Sequence, residues 1–150
     1  MKQLKLGFNY QWKPAFINGK QQYFFPERIT SFMKKKYGHP AVYCWNIYKS
    51  KPGDKKIIYI GETQTLCPQR INGYLKPGPS QQTNKRIKGK FQEYINKGLK
   101  IRLEILQFNK IAIGKSIFTF ADLTNKHLRR FIEEFMVIYC QQKRYKVLNL

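Results

Sequence analysis

Apolar and polar positions along this chain fall into two periodicities, and their order predicts the architecture. Ala41 to Tyr48 is dense in aromatic and β-branched residues and reads as a strand. Ser50-Lys51-Pro52-Gly53-Asp54 is a run of turn formers, and Lys56 to Gly61 returns as a second strand. Leu66, Ile71 and Leu75 suit a short helix over Thr65 to Tyr74, starting near Thr65 because Pro68 fits only in a first turn. Lys76 to Gln82 is a loop by its breakers. From an N-cap at Thr83, residues Ile87, Phe91, Tyr94 and Ile95 recur at i, i+4, i+7 and i+8, which predicts an amphipathic helix ending at Gly98.

Leu99, Ile101, Leu103 and Ile105 then alternate with Lys100, Arg102 and Glu104, a strand with one wet face. Asn109 to Ser116 is expected to be a connection. A long helix follows from Asp122 or Thr124 to Gln142, with Leu128, Phe131, Ile132, Phe135, Ile138 and Tyr139 as its buried stripe. Tyr145 to Leu150 is a last short strand or extended segment. Residues 1–40 mix aromatics with lysines. They carry an Asn18-Gly19 turn signal and a possible short helix over Glu27 to Lys36, and read as an extension packed on the core or on DNA. The order hairpin, helix, helix, strand, helix is that of an α+β fold: a small antiparallel sheet with flanking helices. At 150 residues this is one domain with enough chain for a hydrophobic core.

Charge changes the picture. The chain holds 29 Lys plus Arg against 8 Asp plus Glu, a formal +21 spread over its whole length. A folded surface that basic calls for a polyanionic partner, and nucleic acid is the first candidate. Cys44, Cys67 and Cys140 form no C-x-x-C pair and suit buried thiols in a reducing cytoplasm. No apolar run is long enough for a signal peptide core or a membrane span.

Ala41-Val42-Tyr43, Tyr59-Ile60-Gly61 and Arg70 lie on a strand, the returning strand and the helix after it. Glu134 is followed by Val137-Ile138 and then by Tyr145-Lys146-Val147-Leu148. Together these resemble the signature of the GIY-YIG nuclease superfamily over residues 41–150. Ala41 stands for the first glycine, and Lys146 for a usual asparagine. The resemblance implies a GIY-YIG nuclease domain over 41–150 and metal-dependent hydrolysis of phosphodiester bonds in double-stranded DNA. By position, Tyr43 would hold or deprotonate the attacking water, and Tyr59 would share its network or bind phosphate. Arg70 would grip the scissile phosphate with its planar fork of donors. Glu134 would hold Mg²⁺, or Mn²⁺ or another divalent ion in its place. A tyrosine base would need its pKa lowered by the ion, the arginine and nearby lysines, of which Lys56 is a candidate.

Tyr74 lies one helical turn after Arg70, where many members have a histidine, and can orient water or phosphate. Of the two adjacent glutamates, Glu134 is expected at the edge of the buried stripe, in line with Phe131 and Ile138. Glu133 is expected in a solvated pair with Arg129, and His127 as a flanking residue. Gln81, Gln82, Asn84, Lys85 and Arg86 carry side chains suited to base edges and phosphates, so they are candidate DNA contacts. A short chain with base-reading side chains looks most like a type II restriction endonuclease, dimeric at least on DNA. The alternatives are a structure-selective or mobile-element nuclease, or a nucleic-acid-binding protein without catalysis.

Overall fold

The computed structural model describes residues 1–53 and 57–149. Strand β2 (Ala41–Tyr48) pairs antiparallel with β3 (Ile57–Thr63) on one side and with β4 (Lys100–Ile113) on the other. Flanked on both sides and covered on both faces, β2 is almost wholly buried, which is why its sequence reads as a continuous apolar run. Strand β1 (Leu6–Pro14) pairs antiparallel with the far side of β4. Strand β5 (Ser116–Phe118) folds back on the end of β4, and β6 (Lys146–Val147) pairs parallel with the start of β3. The sheet order is β1-β4-β2-β3-β6, with β5 beside β4. The fold is mixed α+β, with an antiparallel sheet apart from β6.

Strand alternation sends side chains to two cores. Tyr43, Trp45, Ile47, Ile101, Leu103 and Ile105 meet α1 (Ser31–Lys36), α2 (Ile71–Leu75) and α3 (Gln82–Asn96) through Met33, Ile71, Tyr74, Ile87 and Phe91. Val42, Cys44, Ile58, Ile60, Leu106 and Phe108 meet α4 (Lys126–Gln142) through Leu128, Ile132, Met136, Val137 and Cys140. All three cysteines are buried free thiols. Among the described residues no helix is long and apolar enough to cross a membrane.

Four expectations change. Residues 109–113 are not a connection but continue β4, because β1 extends the ladder there: Phe8 faces Ile111 and Leu6 faces Ile113. The N-terminal segment supplies that strand and five core residues, Ala15, Tyr23, Phe25, Met33 and Tyr37. The regular helix expected from Thr65 begins only at Ile71. Before it, Leu66 and Cys67 donate their backbone N–H groups to His39 O (3.1 Å) and Tyr37 O (3.0 Å), which holds Cys67 extended and delays the helix past Pro68.

The fourth concerns α4. Its buried face holds Leu128, Arg129, Ile132, Met136, Val137 and Cys140, while Phe131 and Ile138 are 42% and 55% exposed. The helix is therefore turned relative to the stripe predicted from hydrophobicity. Arg129 occupies a core-side position because all of its polarity is matched. It donates to Glu62 Oε2 (2.7 Å), Leu123 O (2.9 Å) and Thr124 O (3.1 Å).

Candidate functional site

The β2–β3 register builds the first half of the site. Tyr43 lies directly opposite Gly61, and its ring and hydroxyl fill the space a Cβ there would take. Any side chain at Gly61 would collide with the tyrosine, so the glycine of Tyr59-Ile60-Gly61 is a packing requirement. The Tyr43 and Tyr74 hydroxyls share a hydrogen bond of 2.6 Å. Tyr59 meets the Tyr74 ring edge-on at 6.1 Å, and Trp45 backs the same ring at 5.5 Å. Arg70 precedes Tyr74 by one turn, on the irregular turn tied to residues 37–39. Tyr43 and Tyr74 are each 1% exposed, whereas Tyr59 and Arg70 are half-buried and reach the surface.

Burial dominates the electrostatics of this cluster. It pushes the Tyr43 phenol well above its ordinary value, and the opposing pull of Arg70 and of the Tyr74 hydrogen bond is smaller. Tyr59 and Tyr74 are raised for the same reason. The expectation of a depressed tyrosine pKa is not met by the protein's own groups, and all three phenols are neutral near pH 7. Arg70 loses from burial but is held charged by Tyr43, Tyr74, Glu62 and Tyr59.

The carboxylate from α4 is Glu133 and not Glu134. The turned helix leaves Glu134 exposed and brings Glu133 into a half-buried position at the cluster. Burial lifts the Glu133 carboxyl to about 7, with Glu62 and then Glu134 adding to the rise and Arg70 opposing it. The charge of Glu133 also acts on Tyr43 and Tyr59. Arg129, its expected partner, is committed to Glu62.

Two of the residues that complete the site had a readable but weak signal. Glu62 continues the apolar face of Ile58 and Ile60, an odd place for a carboxylate in a chain with only 8 of them. Arg129 falls among the apolar positions of α4. Asn149 had no signal: its side chain exchanges hydrogen bonds with Ile60, accepting from the N–H (2.9 Å) and donating to the carbonyl (2.6 Å).

Beside Arg70 opens a cleft of about 420 Å³, walled by Glu62, Gln64, Gln69, Gln81, Asn84 and Arg129 among others. Of the five candidate DNA contacts, Gln81 and Asn84 line it. Gln82 and Lys85 are exposed and donate to Pro79 O. Arg86 donates to Leu148 O at 3.2 Å, which ties α3 to the tail, and its charge acts on Tyr59. Lys56 lies outside the described residues, and His127 is exposed on α4. Among the described residues no three His, Cys, Asp or Glu side chains group together. The chain matches no family model, and no curated protein or solved structure matches it.

Proposed function

We propose that this chain is a metal-dependent DNA endonuclease of the GIY-YIG type, working as a sequence-specific restriction enzyme. The observation that carries the reading is the convergence of Tyr43, Tyr59, Arg70, Tyr74 and Glu133. They come from two strands, a turn and two helices, in a chain of net charge +21. A neutral phenol network beside a charged arginine and a buried carboxylate is poor for binding apolar ligands. It is suited to a phosphodiester, which needs a placed water and a counter-charge for its oxygens.

Arg70 binds the scissile phosphate. Tyr59, the tyrosine that reaches the surface, places the attacking water by hydrogen bonding, and Tyr43 and Tyr74 hold the Tyr59 side of the network in place. Because these phenols are neutral, they orient the water and do not strip its proton as phenolates. The water oxygen bonds to phosphorus, the bond to the leaving ester oxygen breaks, and the water proton leaves through this network to solvent. The donor set fits a divalent cation: Glu133 sits where burial and the negative Glu62 make its own charge costly, and a cation would relieve that cost. Mg²⁺ commonly keeps several waters and takes phosphate oxygens, so one protein carboxylate can hold it. When bound, the ion supplies Lewis acidity to the phosphate and leaving oxygen. Cutting both strands of a duplex takes two such sites, hence two copies on DNA.

Plasmid cleavage with Mg²⁺ tests this. Wild type is expected to give discrete bands, and Glu133→Gln to lose at least about 10²-fold in rate, as when a group stabilising transition-state charge is removed. Glu134→Gln is expected to stay near wild type. No cleavage by wild type on varied DNA would overturn the nuclease reading, and cleavage lost with Glu134 but kept without Glu133 would overturn the assignment of the carboxylate.

A further inference from the structure

Asn84 stands out in the cleft beside Arg70. It sits in the first turn of α3 and is 9% exposed, yet neither its amide nitrogen nor its carbonyl oxygen has a hydrogen-bond partner among the described residues. The amide is lodged against Gly73, where a Cβ would come within 3.0 Å of Nδ2. Burying an amide without partners costs about 1–3 kcal/mol for each unmet group. An occupant that offers a donor and an acceptor side by side would recover that loss.

The rest of the wall narrows the chemistry. Gln81 Oε1 already accepts from Gly78 N (2.9 Å), which leaves its NH₂ group to donate. Arg70 and Lys126 supply positive charge on the same cleft. A phosphate alone would meet the donors but leave the Asn84 carbonyl unpaired. Adenine presents an acceptor ring nitrogen next to its exocyclic amino donor, the match for a side-chain amide, and carries a phosphate for Arg70. The cleft volume of about 420 Å³ lies within the roughly 300–1,000 Å³ range of small-ligand pockets. It has no room for a duplex, and Asn84 is too recessed for a stacked base pair to reach.

We infer that this cleft takes a single adenine nucleotide, drawn out of the stack next to the scissile phosphate and read by the Asn84 amide. The inference rests on the nuclease reading for its biological setting, but its test does not. The probes are the four deoxynucleoside monophosphates, titrated at millimolar concentration against the full chain and followed by thermal shift and by amide chemical shifts.

The expected result is a clear preference for dAMP, with chemical-shift changes centred on Gly73 and Asn84. Asn84→Leu should weaken dAMP binding about tenfold, within the range for one bidentate base contact. Asn84→Asp keeps the shape of the side chain and replaces its donor by an acceptor. It should move the preference from dAMP towards dCMP, and it decides the matter if the leucine variant does not fold. Equal binding of all four nucleotides, or an unchanged preference in Asn84→Asp, overturns the inference. Plasmid cleavage without a dAMP preference would sink the base pocket and leave the nuclease standing. A dAMP preference without cleavage would do the reverse.

Discussion

Glu104 and Glu62 are both sunk against an arginine, and the two pairs differ in what is left over. Glu104 Oε2 takes Arg102 Nε (2.9 Å) and Nη2 (2.5 Å) together with Asn46 Nδ2 (3.0 Å), while Oε1 accepts from the Cys44 thiol at 3.7 Å. Arg102 is itself anchored on Gln22 Oε1. Every valence of that carboxylate is spent on β2 and β4. Glu62 meets Arg129 through Oε2 alone, and the rest of its carboxylate faces the cleft beside Arg70. A closed pair stabilises the sheet and does nothing else. An open pair leaves negative potential where Glu133 needs it, and the raised Glu133 carboxyl is the visible result.

Glu104→Ala should have the largest effect on stability. Removing one partner of a buried pair leaves the other charge unmatched, and a loss of about 3–5 kcal/mol is expected in urea unfolding. Glu62→Ala should cost less, about 1.5–3 kcal/mol for lost charged hydrogen bonds, since Arg129 keeps the carbonyls of Leu123 and Thr124. Equal losses for the two variants would erase the distinction between them.

Gly61→Ala disturbs the open end by a different route, overpacking against the Tyr43 ring, and should cost about 1–3 kcal/mol. Its near-UV circular dichroism should report displaced tyrosines, and an unperturbed spectrum with wild-type stability would contradict the packing described for Tyr43.

The smallest effect is on pH dependence. The Glu133 carboxyl stands at about 7 in the folded chain against its ordinary 4.5, so the native state holds the extra proton between those values. Its contribution to stability is therefore full below about 4.5 and is lost as the pH rises through about 7. In EDTA, wild type should lose more Tm between pH 5 and pH 8 than Glu133→Gln does. Glu62→Ala should show a reduced loss as well, because Glu62 is a cause of the rise. Identical profiles for all three proteins would disconnect Glu62 from Glu133.

The legible parts of this molecule are those specified by short-range geometry. The β2–β3 hairpin could be read because its apolar runs end at breakers, and Tyr43 meets Gly61 by register once the strands are placed. Arg70 and Tyr74 could be read because they are one turn apart. The choice between Glu133 and Glu134 failed because adjacent helical positions differ by about 100°, and the stripe used to orient α4 was itself misplaced. Hydrophobicity assigns Phe131 and Ile138 to the core and Arg129 to solvent, and the Glu62 ion pair reverses this. Strand β1 was hidden by its polar and charged residues, which an edge strand with little buried surface tolerates. Asn149 was invisible because its partner, Ile60, is 89 positions away and contributes only backbone.

That last contact bears on how the chain avoids sticking to itself. Parallel pairing with β6 covers β3 only at Ile57 and Ile58, so beyond them β3 would present raw N–H and C=O groups to any passing strand. The Asn149 amide caps the pair on Ile60 as a neighbouring backbone would, but with no strand attached. Protection from templated aggregation is thus delivered by one side chain, and Asn149→Ala would reopen that edge to self-association.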